Sequence, residues 1–334
     1  MISDLELEDI KLVADELDFN ELKNKTILIS GGTGFIGSFL INVFKYRNEK
    51  YKDNIRVISL SRNGGIDSEN INNIKCDITK DIKIDDNIDY IFHLASNTHP
   101  KQYKEDPVGT ILTNILGCNN LLKLAVQKKV KRFILASSVE IYGQGPEYPM
   151  NEMYSGYIDC NTARSGYNES KRVCEALCQS YNKQFGIDFV TARFSRLIGP
   201  DRKQDTKAIS QFMDKALANE NIVLKSLGNQ LFSYCYISDA VKAVLLIATK
   251  GVSTEAYNIA GEFDDMTLCD YAKFIANLAN INVTFEIEDD DAVSKATYAL
   301  LDCSKIKKLG FKPSFSIKEG LRRTYIIRKS WMNN

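Results

Sequence analysis

Thr26-Ile27-Leu28-Ile29-Ser30-Gly31-Gly32-Thr33-Gly34-Phe35-Ile36-Gly37 is the stretch on which the fold turns. Its first five residues form a short apolar, β-branched run that reads as a buried strand. Gly32, Gly34 and Gly37 then follow in the spacing G-x-G-x-x-G, and a helical pattern continues to about Tyr46. Between a strand and a helix this spacing has a mechanical meaning. One glycine makes the tight turn, one lets backbone approach a pyrophosphate, and one lets helix and strand pack closely. A purely structural turn is the bland alternative, and the strand-turn-helix context weighs against it.

Outward from this loop, β-branched runs alternate with helical stretches. Further strands are expected at Arg56 to Leu60, Asn73 to Cys76, Tyr90 to Leu94 and Phe133 to Ala136, with a long helix from about Pro107 to Gln127. A helix from Tyr167 to about Phe185 and a strand from Asp188 to Ala192 extend the series. The alternation specifies an α/β fold, a Rossmann-type doubly wound parallel sheet with a smaller C-terminal substrate-binding lobe. Residues 1–22 are read as an N-terminal helical extension, 23–195 as the dinucleotide-binding domain and 196–334 as the lobe. The boundary is soft, and strands are free to interleave across it. Small strands at Ile222 to Lys225, Tyr234 to Ile237 and Tyr257 to Ile259 are assigned to the lobe. So are helices at Asp239 to Thr249, Thr267 to Ala279 and Ile317 to Arg328.

Lys+Arg and Asp+Glu both number 43 in 334 residues, so no basic excess points to nucleic acid or a membrane surface. The first twenty residues carry Asp4, Glu6, Glu8, Asp9, Asp15, Glu16 and Asp18, which no secretory signal tolerates. They read as an amphipathic helix through Leu5, Ile10, Val13 and Leu17. The longest apolar stretches, such as Val241 to Ala248, are too short to span a bilayer, and a cytoplasmic protein is expected. Eight cysteines are scattered, with Cys174 and Cys178 one helical turn apart. With two histidines in the chain they read as reduced structural thiols, and no metal is expected.

The second strand ends Leu60-Ser61-Arg62 with no acid at its tip. An acid there would bind a free ribose 2′-hydroxyl and an arginine would accept a 2′-phosphate, so the cofactor is NADP or NAD with NADP slightly favoured. Arg62 also fits a solvated turn. Asp77, followed by Ile78, is a candidate adenine contact and equally a turn-forming residue. Tyr167 and Lys171 stand four residues apart, on one face of a helix, where an ammonium stabilises a phenolate and prepares it to take a proton.

The glycine loop Gly31 to Gly37, His93-Leu94-Ala95, Ser137-Ser138-Val139-Glu140-Ile141-Tyr142-Gly143, the Tyr167/Lys171 pair, Gly199-Pro200, Asp302-Cys303-Ser304-Lys305 and Leu309-Gly310-Phe311-Lys312-Pro313 together resemble the extended short-chain dehydrogenase/reductases, the nucleotide-sugar epimerase/dehydratase group. The resemblance implies an NAD(P)-dependent enzyme that oxidises C4 of a nucleotide-linked hexose. Tyr167 would take the C4 hydroxyl proton, Lys171 would hold the nicotinamide ribose, and Ser138 would bond the same hydroxyl. Gly31, Gly32, Thr33, Gly34, Phe35, Ile36 and Gly37, with Leu94, Ala95 and Ser96, would line the cofactor and Asn114 would support it. His93 is equally a satisfied core histidine.

The reaction after oxidation stays open. Glu140 matches the carboxylate with which 4,6-dehydratases remove the C5 proton, but Val139 stands where many of them carry an aspartic acid. Dehydration or epimerisation leads, with a glucuronate-type decarboxylase, a 4-keto-sugar reductase and a non-catalytic cofactor-binding regulator as alternatives. Many relatives carry Asn at the position of Arg196 and Arg at that of Phe232. Here the cation has changed places, and Arg196 with Arg202 or Lys203 is the candidate for the substrate diphosphate. The resemblance also implies a homodimer through the helices at Pro107 to Gln127 and Tyr167 to Phe185, on which Leu112, Leu116 and Leu121 equally suit a core face.

Overall fold

The strand that precedes the glycine loop, β1 (Thr26–Ser30), is buried along its whole length between two parallel neighbours, β2 (Arg56–Ser61) and β4 (Tyr90–His93). The computed structural model describes residues 2–98, 105–146, 148–202, 206–287 and 298–332. With β3 (Ile71–Lys75), β5 (Arg132–Ser138), β6 (Phe189–Phe194) and β11 (Ala256–Ile259) these strands form one seven-stranded sheet in the order β11-β6-β5-β4-β1-β2-β3, all parallel. The chain winds outward from β1 through β2 and β3, then restarts at β4 and winds the other way. The crevice for a ligand in such a sheet lies at the carboxyl ends of β1 and β4, where the direction changes.

Helices α2 (Phe35–Tyr51), α3 (Pro107–Lys128) and α4 (Ser165–Phe185) cover the sheet on both faces, which is why its strands are apolar almost throughout. Asp106 caps α3, its carboxylate accepting from the Gly109 amide at 2.9 Å. Cys118, Cys174 and Cys178 are buried in the cluster beneath α3 and α4, and the Cys174 thiol points at the Asn114 carbonyl, 3.3 Å away.

The remaining elements are α5 (Ala208–Leu217), α6 (Ile237–Lys250), α7 (Leu268–Ala279), α8 (Ser304–Lys307) and α9 (Ile317–Met332). Three parallel two-stranded pairs accompany them: β7 (Arg196–Ile198) with β10 (Tyr234–Tyr236), β8 (Ile222–Leu224) with β12 (Val283–Phe285), and β9 (Leu231–Phe232) with β13 (Tyr298–Ala299). Tyr257 to Ile259, expected among the lobe strands, instead extends the large sheet beside β6. The return is made by α6, buried from Ile237 to Ala248. Arg132 at the head of β5 locks it, forking onto Asp188 and donating to the carbonyls of Ile247, Ala248 and Gly251 at the end of α6.

The N-terminal extension is helical as expected. Helix α1 (Asp4–Glu16) starts at Ser3, whose hydroxyl accepts from the Glu6 amide at 3.3 Å, and it buries Ile10, Val13 and Ala14. No helix among the described residues is long and apolar enough to cross a membrane.

Candidate active site

The loop from Gly31 to Gly37 closes on itself, the Gly34 amide donating to the Gly31 carbonyl at 2.8 Å. Gly31 has φ +78, and a Cβ there would stand 2.9 Å from the Ala95 backbone, so the turn requires glycine. A Cβ on Gly37 would meet Gly32 Cα at 2.8 Å, the close helix-to-strand approach that the spacing implied. At Gly34 a Cβ would meet only the Gly31 carbonyl oxygen within 3.5 Å and otherwise fill the space ahead of α2. That helix starts at Gly34 with no side-chain cap, so its first amides face the same space, as a pyrophosphate site requires. These residues fit a dinucleotide.

Around the loop, Arg62 donates to Asn97 Oδ1 at 3.4 Å from the end of β2. Asp77 accepts from both the amide and the hydroxyl of Thr79, at 3.0 and 2.8 Å, bonds that hold its carboxyl below the ordinary range. Ile78 is buried. His93 pairs its Nδ1 with the Ser30 hydroxyl at 2.8 Å, and burial, with a smaller contribution from Lys171, pushes its ring down to about 3. It is a neutral core histidine. Leu94 and Ala95 donate back to Ser30, through its carbonyl and hydroxyl respectively.

The candidate catalytic residues lie at the end of β5 and on α4. Ser138 ends β5 and caps the 3-10 turn Val139–Tyr142, accepting from the Glu140 amide at 3.2 Å. Tyr167 and Lys171 are buried on α4, with the Lys171 ammonium 5.9 Å from the tyrosine ring and donating to the Ala136 carbonyl at 2.8 Å. A chain of bonds backs them. Ser96 donates to Asn114, Asn114 to Ser170, and Ser170 to the Tyr167 carbonyl, at 2.7, 2.9 and 2.8 Å. Asn114, expected to support the cofactor, thus ties the loop after β4 to the turn of α4 that carries Tyr167.

Glu140 meets two arginines. Arg164, just ahead of α4, reaches its Oε2 at 2.8 Å, and Arg196 on β7 stands 3.8 Å from its Oε1. Asn168 donates to the Glu140 backbone carbonyl at 2.9 Å and accepts from Arg164 at 2.7 Å. Sequence reasoning missed Arg164 and Asn168. Their place in the run Arg164-Ser165-Gly166-Tyr167-Asn168, flanking the candidate catalytic Tyr167, was the available signal. Arg196 packs against the Phe232 ring, its guanidinium carbon 3.6 Å from the ring centroid, and its Nη1 is buried with no hydrogen-bond partner among the described residues. Arg202 sits elsewhere, its guanidinium 4.1 Å from the Trp331 ring centroid and 3.8 Å from Glu6 Oε2. Lys203 lies outside the described residues.

Residues 27–260 match the model of the NAD dependent epimerase/dehydratase family, well over half of the chain. The chain belongs to that family. UDP-glucuronic acid decarboxylase 3 of Arabidopsis thaliana is 35% identical to this family member over 313 residues, covering 89% of this chain and 87% of the relative. UDP-glucuronic acid decarboxylase 1 of Danio rerio is 31% identical over 334 residues, covering 97% and 77%. The structure of a UDP-N-acetylglucosamine 4-epimerase from Methanobrevibacter ruminantium M1 superposes with TM-score 0.78 at 26% identity, covering 93% of this chain and 100% of that one. The dTDP-glucose 4,6-dehydratase DesIV from Streptomyces venezuelae, with TM-score 0.78 at 23% identity over 92% and 97%, shares the fold.

This member of the epimerase/dehydratase family is therefore an enzyme that uses a nicotinamide cofactor and works on a nucleotide-linked sugar. Helices α1 and α9 lie outside the matched residues.

Proposed function

We propose that this enzyme oxidises C4 of a UDP-linked hexuronate and then releases the C6 carboxylate as carbon dioxide. The observation that carries the reading is Arg196. Decarboxylation needs a cation to orient the substrate carboxylate. Arg196 stands 3.8 Å from Glu140 Oε1 and against the Phe232 ring, and its Nη1 has no hydrogen-bond partner among the described residues. The names of the similar decarboxylases support the same substrate class.

Tyr167 takes the proton of the C4 hydroxyl, Ser138 holds that oxygen, and Lys171 keeps positive charge beside the phenol. The bound nicotinamide supplies a reversible sink for the C4 hydride. With C4 a ketone, the C5–C6 bond breaks, its electron pair moves onto the C4 oxygen and a proton returns to C5; the C4 ketone then takes back the hydride while Tyr167 returns its proton to the C4 oxygen. Arg164 pairs with the Glu140 carboxylate and Asn168 donates to its backbone carbonyl. Dehydration is the second reading, favoured by Glu140 two residues from Ser138, where it would remove the C5 proton. A reductase would instead consume NADPH, and a regulator would turn over no sugar.

We further assign NADP as the slightly preferred cofactor, on Arg62 at the tip of β2. Residues 196–334 form the substrate lobe, except that α6 and β11 return to the sheet. The cytoplasm is the compartment that suits eight free thiols. The assembly is a homodimer through α3 and α4, whose outer faces expose Val108, Leu112, Leu116 and Val173.

The test is incubation of the purified protein with UDP-glucuronate, and with UDP-, dTDP-, GDP- and CDP-hexoses, with NAD or NADP, followed by mass spectrometry. Loss of carbon dioxide from UDP-glucuronate without net cofactor reduction is expected. Loss of water from a hexose would replace the reading with dehydration, and net oxidation of NADPH by a keto sugar would replace it with reduction.

A further inference from the structure

Helix α1 precedes the residues that the family model matches, yet its acidic side chains reach both halves of the molecule. Toward the sheet domain, Asp15 takes Lys50 and the Tyr51 hydroxyl, at 2.9 and 2.8 Å, and the Ala14 carbonyl takes Arg47 at 3.0 Å. Glu16 pairs with Lys242 on α6; toward the lobe, Glu6 faces Arg202 in the loop after β7 and Asp9 enters the interior.

Asp9 is the informative contact because its carboxylate is fully buried. A charge in that position is costly unless it is paired and hydrogen-bonded. Both oxygens are engaged: Oδ1 accepts from Arg323 Nε at 2.8 Å and Oδ2 from the Tyr236 hydroxyl at 2.6 Å. Arg323 also donates to the Leu5 carbonyl at 3.0 Å, so α1 and α9 close around the pair. Tyr236 is the last residue of β10. That strand runs in register with β7, placing Tyr236 opposite Ile198 and Tyr234 opposite Arg196. Glu6 meets Arg202, four residues beyond the end of β7.

We propose that α1 is part of the substrate site's framework, with Asp9 a positioning residue that holds β10 and β7, and through them Arg196, by way of the Tyr236 hydroxyl. The proposal uses the reading of Arg196 given above, but the strand it concerns is fixed whichever sugar is turned over.

Tyr236→Phe removes one hydroxyl, keeps the edge-on ring contact with Phe315 at 5.5 Å, and leaves the Asp9–Arg323 pair intact. Asp9→Asn is the second variant, and Asp15→Asn, which touches only α2, is the control. Hydrogen exchange by mass spectrometry is read on peptides spanning 196–198 and 234–236, together with NAD affinity and the KM and kcat for UDP-glucuronate. In Tyr236→Phe, exchange in those two peptides is expected to rise at least threefold and KM about tenfold, with kcat within twofold and NAD affinity unchanged. Asp15→Asn is expected to leave both peptides as they were. Unchanged exchange in Tyr236→Phe and Asp9→Asn, with only a lower Tm, would overturn the proposal and leave α1 a purely structural helix. A wild-type protein that leaves UDP-glucuronate untouched counts against the decarboxylation reading, while the exchange comparison still decides this one.

Discussion

At the scale of single residues, the arginine that lies on Phe232 separates this chain from the pattern its relatives suggested. A guanidinium held against an aromatic ring still has its N–H groups for a carboxylate. Arg196→Met keeps the length of the side chain and its contact with the ring but removes the charge. If Arg196 holds the substrate carboxylate, kcat/KM for UDP-glucuronate should fall at least a hundredfold, the loss of about 3 kcal/mol that a charge-assisted pair supplies. Cofactor affinity should stay unchanged by calorimetry. A fall of less than threefold would remove Arg196 from the site. Tyr167, Lys171 and Ser138 could be read from the chain because their spacing and neighbours repeat a known pattern. Arg164 could not, because it meets Glu140 across 24 residues of intervening chain and its run carries no periodic signal. Arg202, expected near the diphosphate, is drawn to Glu6 and Trp331 by two elements that lie far from it in the chain.

At the scale of elements, the long helices declared themselves by period and the sheet strands by apolar, β-branched runs, within a few residues at each end. Strands of two and three residues, such as β7, β9 and β13, are too short to leave an alternation, so the lobe was legible only in outline. Tyr257 to Ile259 looks the same in sequence whether it lies in a small sheet or a large one. Its place beside β6 depends on α6 crossing back. Helix α3 carries a different ambiguity. Leu121 is fully buried, whereas Val108, Leu112 and Leu116 repeat every four residues along an exposed face. That face, with Val173 of α4, is the surface through which we place the dimer. Leu116→Glu should convert the assembly to a monomer in sedimentation velocity at micromolar concentration. A wild-type monomer under the same conditions would refute the dimer directly.

At the scale of the whole molecule, buried ionisable groups pull its acid stability in two directions. His93 is held near 3 against an ordinary 6.5, mainly by burial, so the unfolded chain binds its proton first. Its contribution is present above pH 6.5 and is lost as the pH falls toward 3. Asp239, buried at the head of α6 and accepting from the amides of Ser314 and Phe315, is pushed up to about 6 from 3.8, again chiefly by burial. That effect has the opposite sign, since the folded state binds the proton more tightly and stability rises as the pH falls through 6 toward 3.8. Burial raises Glu6 and Asp9 in the same sense. Replacing His93 with glutamine should therefore shift the stability difference between pH 7 and pH 5 by about 2 kcal/mol in favour of pH 5. The measurement is a pair of urea unfolding curves at each pH. An unchanged difference would mean that His93 is already protonated in the folded protein.

The parallel sheet, the glycine loop and the tyrosine-lysine pair were legible in the chain alone. Each of these is written locally: a glycine pattern between a strand and a helix, short apolar runs alternating with a period of 3.6, a phenol and an ammonium one helical turn apart. The charges around Glu140, the place of Arg202, the sheet that takes β11 and the reach of α1 through Asp9 to Tyr236 and Arg323 emerge with the folded chain. The reason is physical. These are contacts between groups far apart in the chain, and their pairing is set by which buried charges must be neutralised once the core has closed, a condition that no local pattern encodes.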